Sequence, residues 1–250
     1  MQIFLQAELP FSSFILPLVI FVDIFRYMTP DELASCIDLT LLNPAASCAD
    51  IKKSIRDSLK YPFASLCIPP SYVRLTADAL KGRRRIGTVV GFPFGYQSRA
   101  VKLYEAMDAV KSGADELDVV MDISLFKSGE YEPVLDEIAS IVRLKKDTTT
   151  KLIIETCYLT DKEKILACEL AIKSGAHFVK TSTGFGPGGA TIDDVALLAG
   201  NAKGRIKVKA SGGIKDLNTA LAMLNAGASR IGTSSGIKIM EEFLLRKGIA

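Results

Sequence analysis

Residues 206–236 read IKVKASGGIKDLNTALAMLNAGASRIGTSSG, two short runs of strand character separated by a segment of helical period. The runs IKVKAS (206–211) and SRIGTS (229–234) contain β-branched residues and lead into glycine and serine, as buried strands often do. The segment between them is long enough for a crossover helix. A strand, a helix and a second strand in this order predict two parallel neighbours in one sheet.

The same alternation extends upstream to residue 36. The strand candidates are CIDL (36–39), ASLCI (64–68), IGTVVGF (86–92), ELDVVMD (116–122), KLIIET (151–156), HFVKTS (177–182), IKVKAS (206–211) and SRIGTS (229–234). The predicted helices cover about 49–60, 71–81, 98–112, 130–146, 160–174, 191–202, 215–225 and 236–247, with Ser98, Thr160 and Thr191 as N-caps. Eight such units in 250 residues favour a closed (β/α)₈ TIM barrel over an open doubly wound sheet, which usually has fewer strands.

The composition indicates a soluble globular protein with one domain, since 48% of its residues are hydrophobic and 24% charged. The net charge of +3 is spread along the chain. We interpret the one tight basic cluster, at 83–85, as a solvated turn, and we expect no nucleic-acid partner. Five scattered cysteines with no Cys-x-x-Cys pair favour a reduced, cytoplasmic location.

The N-terminal run FILPLVIFV (14–22) is too short to span a bilayer and contains Pro17. Glu8 precedes it where a secretory signal needs basic residues, so we expect neither a membrane anchor nor a signal peptide. Three interpretations stay open: an extra docked element, a contact between subunits, or translated sequence upstream of a later start.

A start at Met28 is the interpretation we favour, because Thr29 as N-cap and Pro30 at the first helical position begin a helix directly. We therefore divide the chain into an extension or helix at 1–28 and a barrel domain at 29–250. Apolar surface on barrel helices and the N-terminal run suggest a homodimer or homotetramer.

Barrel enzymes place their chemistry at the carboxyl ends of the strands. Lys180 in HFVKTSTGF shares strand parity with Phe178, so an inward Lys180 meets the barrel interior near that end. Lys209 in IKVKASGG lies at a similar height on the next strand. Burial and a second cation would both lower the pKa of Lys180 and give an amine that attacks carbonyls. The alternative is that one lysine is exposed or is paired only for structure.

Asp118 occupies the middle of an apolar strand, where an unpaired carboxylate is costly. It could hold Lys209 charged or move protons between C–H and O–H positions of a substrate. Asp38 could do the same from the first strand. For each carboxylate the alternative is a buried salt bridge that stabilises the barrel centre.

Glycine-rich turns TSTGFGPGGAT, ASGGIKD and GTSSG follow the last three strands. Free backbone amides beside helix N-termini bind phosphate, and barrels often build that site after strands seven and eight. These turns therefore predict a small phosphorylated substrate. The expected donors are Gly212, Gly213, Gly232, Ser234 and Ser235.

Metal chemistry is not expected, because His177 is the sole histidine and zinc catalysis typically needs two or three. We expect His177 at the bottom or side of the barrel. The first strand is not followed by a Rossmann fingerprint, so no nicotinamide cofactor is expected either. A carbonyl lyase on this chain must use an amine. Cys67, at the top of the second strand and near the site, is assigned a packing role.

These segments resemble those of the deoxyribose-phosphate aldolases, a class I aldolase family, from about residue 36 to the end of the chain. The stretches that carry the resemblance are IDLTLLN (37–43), SLCIPPSYV (65–73), GTVVGFPFG (87–95), GADELDVVMDIS (113–124), KLIIET (151–156), VKTSTGFGPGGAT (179–191), VKASGGIKD (208–216) and GASRIGTSSG (227–236). The pair VKTSTGF and KASGG at this separation is highly specific.

The resemblance implies a Schiff base on Lys180, a pKa perturbed by Lys209, and a proton relay of Asp118 with Lys209. The substrate-binding residues that it implies are Asp38, Thr40, Thr183, Gly184 and the phosphate donors named above. The implied reaction cleaves 2-deoxy-D-ribose 5-phosphate reversibly into acetaldehyde and D-glyceraldehyde 3-phosphate. Some members have a lysine where Phe185 stands, so phosphate binding here must rest more on backbone amides.

Two other functions are considered. A fructose-bisphosphate or transaldolase-like enzyme would use a lysine on the same kind of strand and would prefer dihydroxyacetone phosphate to acetaldehyde. A catalytically silent barrel could bind a sugar phosphate as a regulator. The presence of both lysines and Asp118 argues against the silent barrel, because buried charges cost stability.

Overall fold

The computed structural model describes residues 24–249, and the apolar run at 14–22 lies outside them. The strands are β1 (Ile37–Thr40), β2 (Ser65–Cys67), β3 (Ile86–Val90), β4 (Glu116–Val120), β5 (Thr149–Ile153), β6 (Phe178–Lys180), β7 (Lys207–Ser211) and β8 (Arg230–Thr233). Each pairs in parallel with the next, and β8 pairs with β1. This closed barrel confirms the predicted fold.

Helices surround the barrel in the order that the sequence predicts. The bounds are α1 (Ile24–Tyr27), α2 (Pro30–Ser35), α3 (Cys48–Asp57), α4 (Val73–Leu80), α5 (Arg99–Ser112), α6 (Ile123–Lys127), α7 (Tyr131–Val142), α8 (Asp161–Lys173), α9 (Ile192–Ala202), α10 (Leu217–Asn225) and α11 (Gly236–Lys247). Helices α1 and α6 were not predicted. Between residues 24 and 249, no helix has both the length and the apolar character needed to cross a bilayer.

Helix caps explain several of these boundaries. Thr29 accepts a hydrogen bond from the amide of Glu32, whose carboxylate returns one to the Thr29 amide, and this capping box begins α2. Thr160 begins α8 in the same way, and Thr191 caps α9. Ser98 is the N-cap residue of α5, as predicted, but its side chain makes no cap hydrogen bond. Helix α5 therefore begins without a side-chain cap.

Helix α1, directly before Met28, packs on the barrel. The Phe25 ring of α1 meets Phe243 of α11 edge-on, with 5.2 Å between ring centroids. The Lys247 ammonium donates to the Arg26 carbonyl. Helix α1 therefore rests on the last barrel helix.

The turn between α4 and β3 carries the arginine cluster and is fastened to the barrel. The half-buried Arg84 donates to the carbonyl oxygens of Ser58, Tyr61 and Phe63. The interpretation of this cluster as solvated is therefore wrong for Arg84. Its guanidinium supplies donors to a loop that lacks its own strand partners.

The two faces of the strands differ in chemistry. In β4, Leu117 and Val119 are fully buried in the apolar core between barrel and helices. Glu116 and Asp118 alternate with them and meet cationic side chains inside the barrel. Because side chains alternate along a strand, this places the apolar core outside the sheet and a charged cluster within it.

Candidate active site

The barrel interior holds the two predicted lysines side by side. Lys180 and Lys209 are paired in the β6–β7 register, and both ammonium groups donate to Oδ2 of Asp118, at 2.7 and 2.8 Å. Lys209 also donates to Oδ2 of Asp38 at 2.5 Å. Each of these four residues is at most 3% exposed. The structure thus brings together Lys180, Lys209, Asp118 and Asp38.

The surroundings separate the two lysines electrostatically. Burial lowers the pKa of Lys180, and Lys209 adds to this effect against the opposing charge of Asp118. Burial also disfavours the charged form of Lys209, but Asp118 and Asp38 outweigh it and raise the pKa of Lys209. The pair therefore combines an amine that loses its proton readily with one that stays cationic, which suits nucleophilic attack on a carbonyl.

A cavity of about 360 Å³ opens above Lys180 at the carboxyl ends of the strands. Its wall combines polar groups, glycines and the half-exposed Phe185, and it reaches from β1 to β8 through the β6 and β7 loops. The lining includes Thr40, Asn43, Lys180, Thr183, Gly184, Phe185, Gly212, Gly213, Lys215, Gly232 and Ser234. The arrangement offers one buried amine at the floor and backbone amides around it.

Glu155 holds the loop that follows β6. This buried residue, two positions after the end of β5, adopts a left-handed backbone conformation with φ of 50°. Its carboxylate accepts bonds from the amide and the hydroxyl of Thr183, while burial raises its pKa. Strained residues of this kind persist where surrounding structure compensates for them. Here the strained residue, Glu155, holds one wall of the cavity in place through Thr183.

The loops after β6 and β7 approach each other so closely that a side chain would not fit. A Cβ on Gly189 would lie 2.4 Å from the carbonyl oxygen of Gly212. The next amide, of Ala190, donates to the carbonyls of Ser211 and Gly212 at 3.1 Å each. This contact sets the position of Gly212, whose φ of 87° also favours glycine.

Residues 32–242 match the DeoC/LacD family aldolase. The chain belongs to this aldolase family. It is 50% identical over 216 residues to the deoxyribose-phosphate aldolase of Caldanaerobacter subterraneus subsp. tengcongensis, which covers 85% of this chain and 94% of that relative. The deoxyribose-phosphate aldolase of Clostridium kluyveri is 49% identical over 217 residues, which is 86% of this chain and all of that one.

Solved structures agree with the fold. An aldolase designated QR15 has a TM-score of 0.84 at 45% identity, covering 87% of this chain and 98% of its own. A deoxyribose phosphate aldolase from Aeropyrum pernix, described as having a unique tetrameric structure, has a TM-score of 0.82 at 36% identity. That match covers 88% of this chain and 97% of the other.

In this aldolase, seven of the predicted substrate-binding residues line the cavity with Lys180, and two do not. The seven are Thr40, Thr183, Gly184, Gly212, Gly213, Gly232 and Ser234. Asp38 lies below the cavity, where it contacts Lys209 and Arg230. Ser235 faces a neighbouring depression beside Lys238.

Sequence reasoning missed three charged residues of the aldolase interior: Lys151, Glu116 and Arg230. Lys151 contacts Glu116 and Asp118 at 2.6 and 2.8 Å, and Arg230 contacts Glu116 at 3.2 Å. Strand β5 begins at Thr149, two residues before the predicted start, which moves Lys151 inside. Strand parity could have identified Glu116, since it precedes Asp118 by two residues and therefore lies on the same face of β4.

Lys215 was also missed. It follows the glycines of the β7 loop and lines the cavity. The phosphate donors predicted from the sequence were glycine and serine residues only. The structure adds a side-chain cation at the same end of the cavity.

His177 lies at the opposite end of the barrel, in a depression with Arg85 and Lys207, and its Nδ1 accepts the amide of Thr150. Cys67 is 1% exposed, and burial, aided by Asp118, raises its pKa to about 11. Among residues 24–249, no group of three or more His, Cys, Asp or Glu is arranged to hold a metal ion.

Proposed function

We propose that this aldolase cleaves 2-deoxy-D-ribose 5-phosphate reversibly into acetaldehyde and D-glyceraldehyde 3-phosphate through an imine on Lys180. The observation that carries the proposal is a buried amine of lowered pKa at the floor of a cavity rimmed by glycine loops. The identity of 48–50% to relatives named deoxyribose-phosphate aldolase supports the substrate.

The neutral amine of Lys180 attacks C1 of the open-chain sugar, and loss of water gives a protonated imine. The hydroxyl at C3 loses its proton, the C2–C3 bond breaks, and its electron pair moves into the imine to form an enamine. Glyceraldehyde 3-phosphate leaves as the aldehyde formed at C3. Protonation of C2 and hydrolysis then release acetaldehyde and restore the amine.

Asp118 and Lys209 handle the protons in this proposal. Asp118 touches both ammonium groups through one oxygen, so a proton can pass between the lysines through it or an intervening water. Asp38 keeps Lys209 charged from below. Thr40, on the cavity wall, contacts the sugar hydroxyls.

The phosphate is placed against the loops after β7 and β8. Gly212, Gly213, Gly232 and Ser234 contribute backbone donors there, which is where barrels commonly bind this group. Lys215 adds a positive charge to the same wall. The site therefore prefers a phosphorylated acceptor aldehyde.

Imine trapping tests this proposal. The protein is incubated with acetaldehyde, reduced with borohydride and mapped by mass spectrometry. We expect one adduct at Lys180, lost in Lys180→Leu and retained in Lys207→Leu, which removes an exposed lysine at the opposite end of the barrel. No adduct on the folded protein contradicts the mechanism. A strong preference for dihydroxyacetone phosphate over acetaldehyde assigns it to the larger-donor aldolases instead.

We also propose a homodimer or homotetramer in a reduced cytoplasmic setting. Exposed apolar side chains on α5, Tyr104 and Met107, lie near the stacked rings of Phe94 and Tyr96 in sequence. All five cysteines are free. Light scattering on the full chain and on one starting at Met28 measures the number of subunits in each assembly, and equal numbers remove the extension from any interface role.

A further inference from the structure

Lys151 lies inside the barrel on the far side of Asp118 from the reactive amine. Its ammonium is 2.8 Å from Oδ1 of Asp118, whereas Lys180 and Lys209 both contact Oδ2. It also lies 2.6 Å from Glu116 and 3.4 Å from Asp38, and it is 1% exposed. Lys151 thus occupies the oxygen of Asp118 that the two other lysines leave free.

The interior cluster contains more cations than carboxylates. Charged or titratable groups face it from six strands besides β5: Asp38 on β1, Cys67 on β2, Glu116 and Asp118 on β4, Lys180 on β6, Lys209 on β7 and Arg230 on β8. Among the described residues, Lys151, Lys180, Lys209 and Arg230 therefore contact three carboxylates. The buried Glu155, in the loop after β5, also acts on Lys180, but without forming an ion pair with it. Arg85 contacts Glu116 from outside, but it is 49% exposed and solvent screens it. The buried groups that are joined by these ion pairs carry one excess positive charge.

The contacts decide which cation is in excess. Lys151, Lys209 and Arg230 each contact at least two carboxylates. Lys180 contacts one, Asp118, and shares that oxygen with Lys209. A buried excess charge is costly, so the least compensated group loses its proton first. That group is Lys180.

Resting on the proposed function, we propose that Lys151 is a positioning residue for the aldolase reaction, which engages Asp118 from below and so prevents this carboxylate from holding Lys180 as an ammonium ion. Lys151 does not line the cavity, so it acts through Asp118. A lysine that only stabilised the barrel would leave the proton affinity of Lys180 unchanged when replaced.

The sign of the effect follows from the charges. In Lys151→Met, three cations face three carboxylates and Oδ1 of Asp118 becomes free for Lys180. The pKa of Lys180 then rises, and the acidic limb of imine formation moves to higher pH. In Glu116→Gln the positive excess grows and Lys151 relies more on Asp118, so the limb moves to lower pH. The double variant, Lys151→Met with Glu116→Gln, removes one cation and one carboxylate that contact each other. Its acidic limb is therefore expected to return toward that of the unaltered protein.

The experiment measures imine formation against pH. Each protein is incubated briefly with acetaldehyde at each pH and transferred into borohydride at one common pH, and the Lys180 adduct is quantified. We expect a shift of about one pH unit for each single variant, in opposite directions, or about tenfold in initial rate at fixed pH on the limb. Lys151→Arg keeps the charge and is expected to keep the original limb.

The outcomes separate the inference from the proposed function. If the unaltered protein gives no Lys180 adduct, the proposed function fails. If it gives the adduct but its limb coincides with that of folded Lys151→Met, the inference is overturned and the proposed function stands. If Lys151→Met does not fold, the double variant is compared with Glu116→Gln alone. If the acidic limb of the double variant lies at higher pH than that of Glu116→Gln, the role of Lys151 is supported. If the two limbs coincide, that role is overturned.

Discussion

Replacing Gly189 with alanine tests the close approach of the β6 and β7 loops. The new Cβ would lie 2.4 Å from the carbonyl oxygen of Gly212 and 2.6 Å from its carbon, whereas ordinary contacts begin near 3.4 Å. The Gly212 backbone must therefore retreat by about 1 Å, a distance typical of overpacking strain. That movement pulls it from the amide of Ala190 and displaces the phosphate donors.

Two costs follow for the Gly189→Ala variant. Overpacking costs about 1–3 kcal/mol, and weakening the Ala190 bonds costs about 1 kcal/mol. A total of about 2–4 kcal/mol lowers the melting temperature by roughly 4–16 °C for a chain of this size. Displaced donors weaken phosphate binding, and about 1.4 kcal/mol corresponds to a tenfold higher KM for 2-deoxyribose 5-phosphate. The unphosphorylated sugar, which lacks this group, loses little.

The matched control is Gly200→Ala, at an exposed glycine within α9 where a Cβ meets nothing within 4 Å. It is expected to stabilise the protein by about 0.5–1 kcal/mol and leave both KM values unchanged. Thermal unfolding and steady-state kinetics with both sugars measure the effects. A Gly189→Ala variant with unaltered stability and an unaltered KM for the phosphorylated sugar would refute the close-approach argument.

Three further predictions concern charge and burial. The Lys127 ammonium and the α8 cap lower the pKa of Glu163 to about 2, so its stabilisation is complete above pH 4.5 and is lost toward pH 2. The melting temperatures of Glu163→Gln and the unaltered protein should therefore converge near pH 2, and a constant difference contradicts this. Cys157 should react with a thiol reagent at pH 8 in the folded protein and Cys67, with a pKa of about 11, only on unfolding; equal rates refute the burial argument. Asp118→Asn leaves buried lysines uncompensated, which should cost about 3–5 kcal/mol in denaturant unfolding at pH 7 and less at pH 9.5. A cost that does not depend on pH speaks against this origin.

The barrel and the lysine pair could be predicted from local pattern. Eight alternations of strand and helix leave few architectures for a chain of this length, and equal offsets within adjacent strands place Lys180 beside Lys209. Their chemical roles stay predictions. Asp38 was assigned to substrate hydroxyls, but it lies beneath Lys209, because only the residue nearest the strand end, Thr40, reaches the cavity.

The exact first residues of the strands, and the side-chain directions in the loops, could not be predicted from the sequence. Lys151 was read as the first residue of its strand, where a lysine is usually solvated, and the true start at Thr149 places it inside. Lys215 was overlooked because loop conformation decides where a side chain after two glycines points, and no periodicity reports it. Both errors concern positions whose environment depends on distant segments.

The ion pairs of Asp38 join the two ends of the described chain. Asp38 meets Lys209 and Arg230, which lie 171 and 192 positions further along. These contacts form only when β1 pairs with β8, so the charge balance around Lys180 is complete only in the closed ring. Contacts of such long sequence separation form late, because their loop entropy must be overcome first. The reactivity of the Lys180 amine in a refolding chain would therefore report closure of the barrel. A nascent chain that ends before β8 would lack this reactivity.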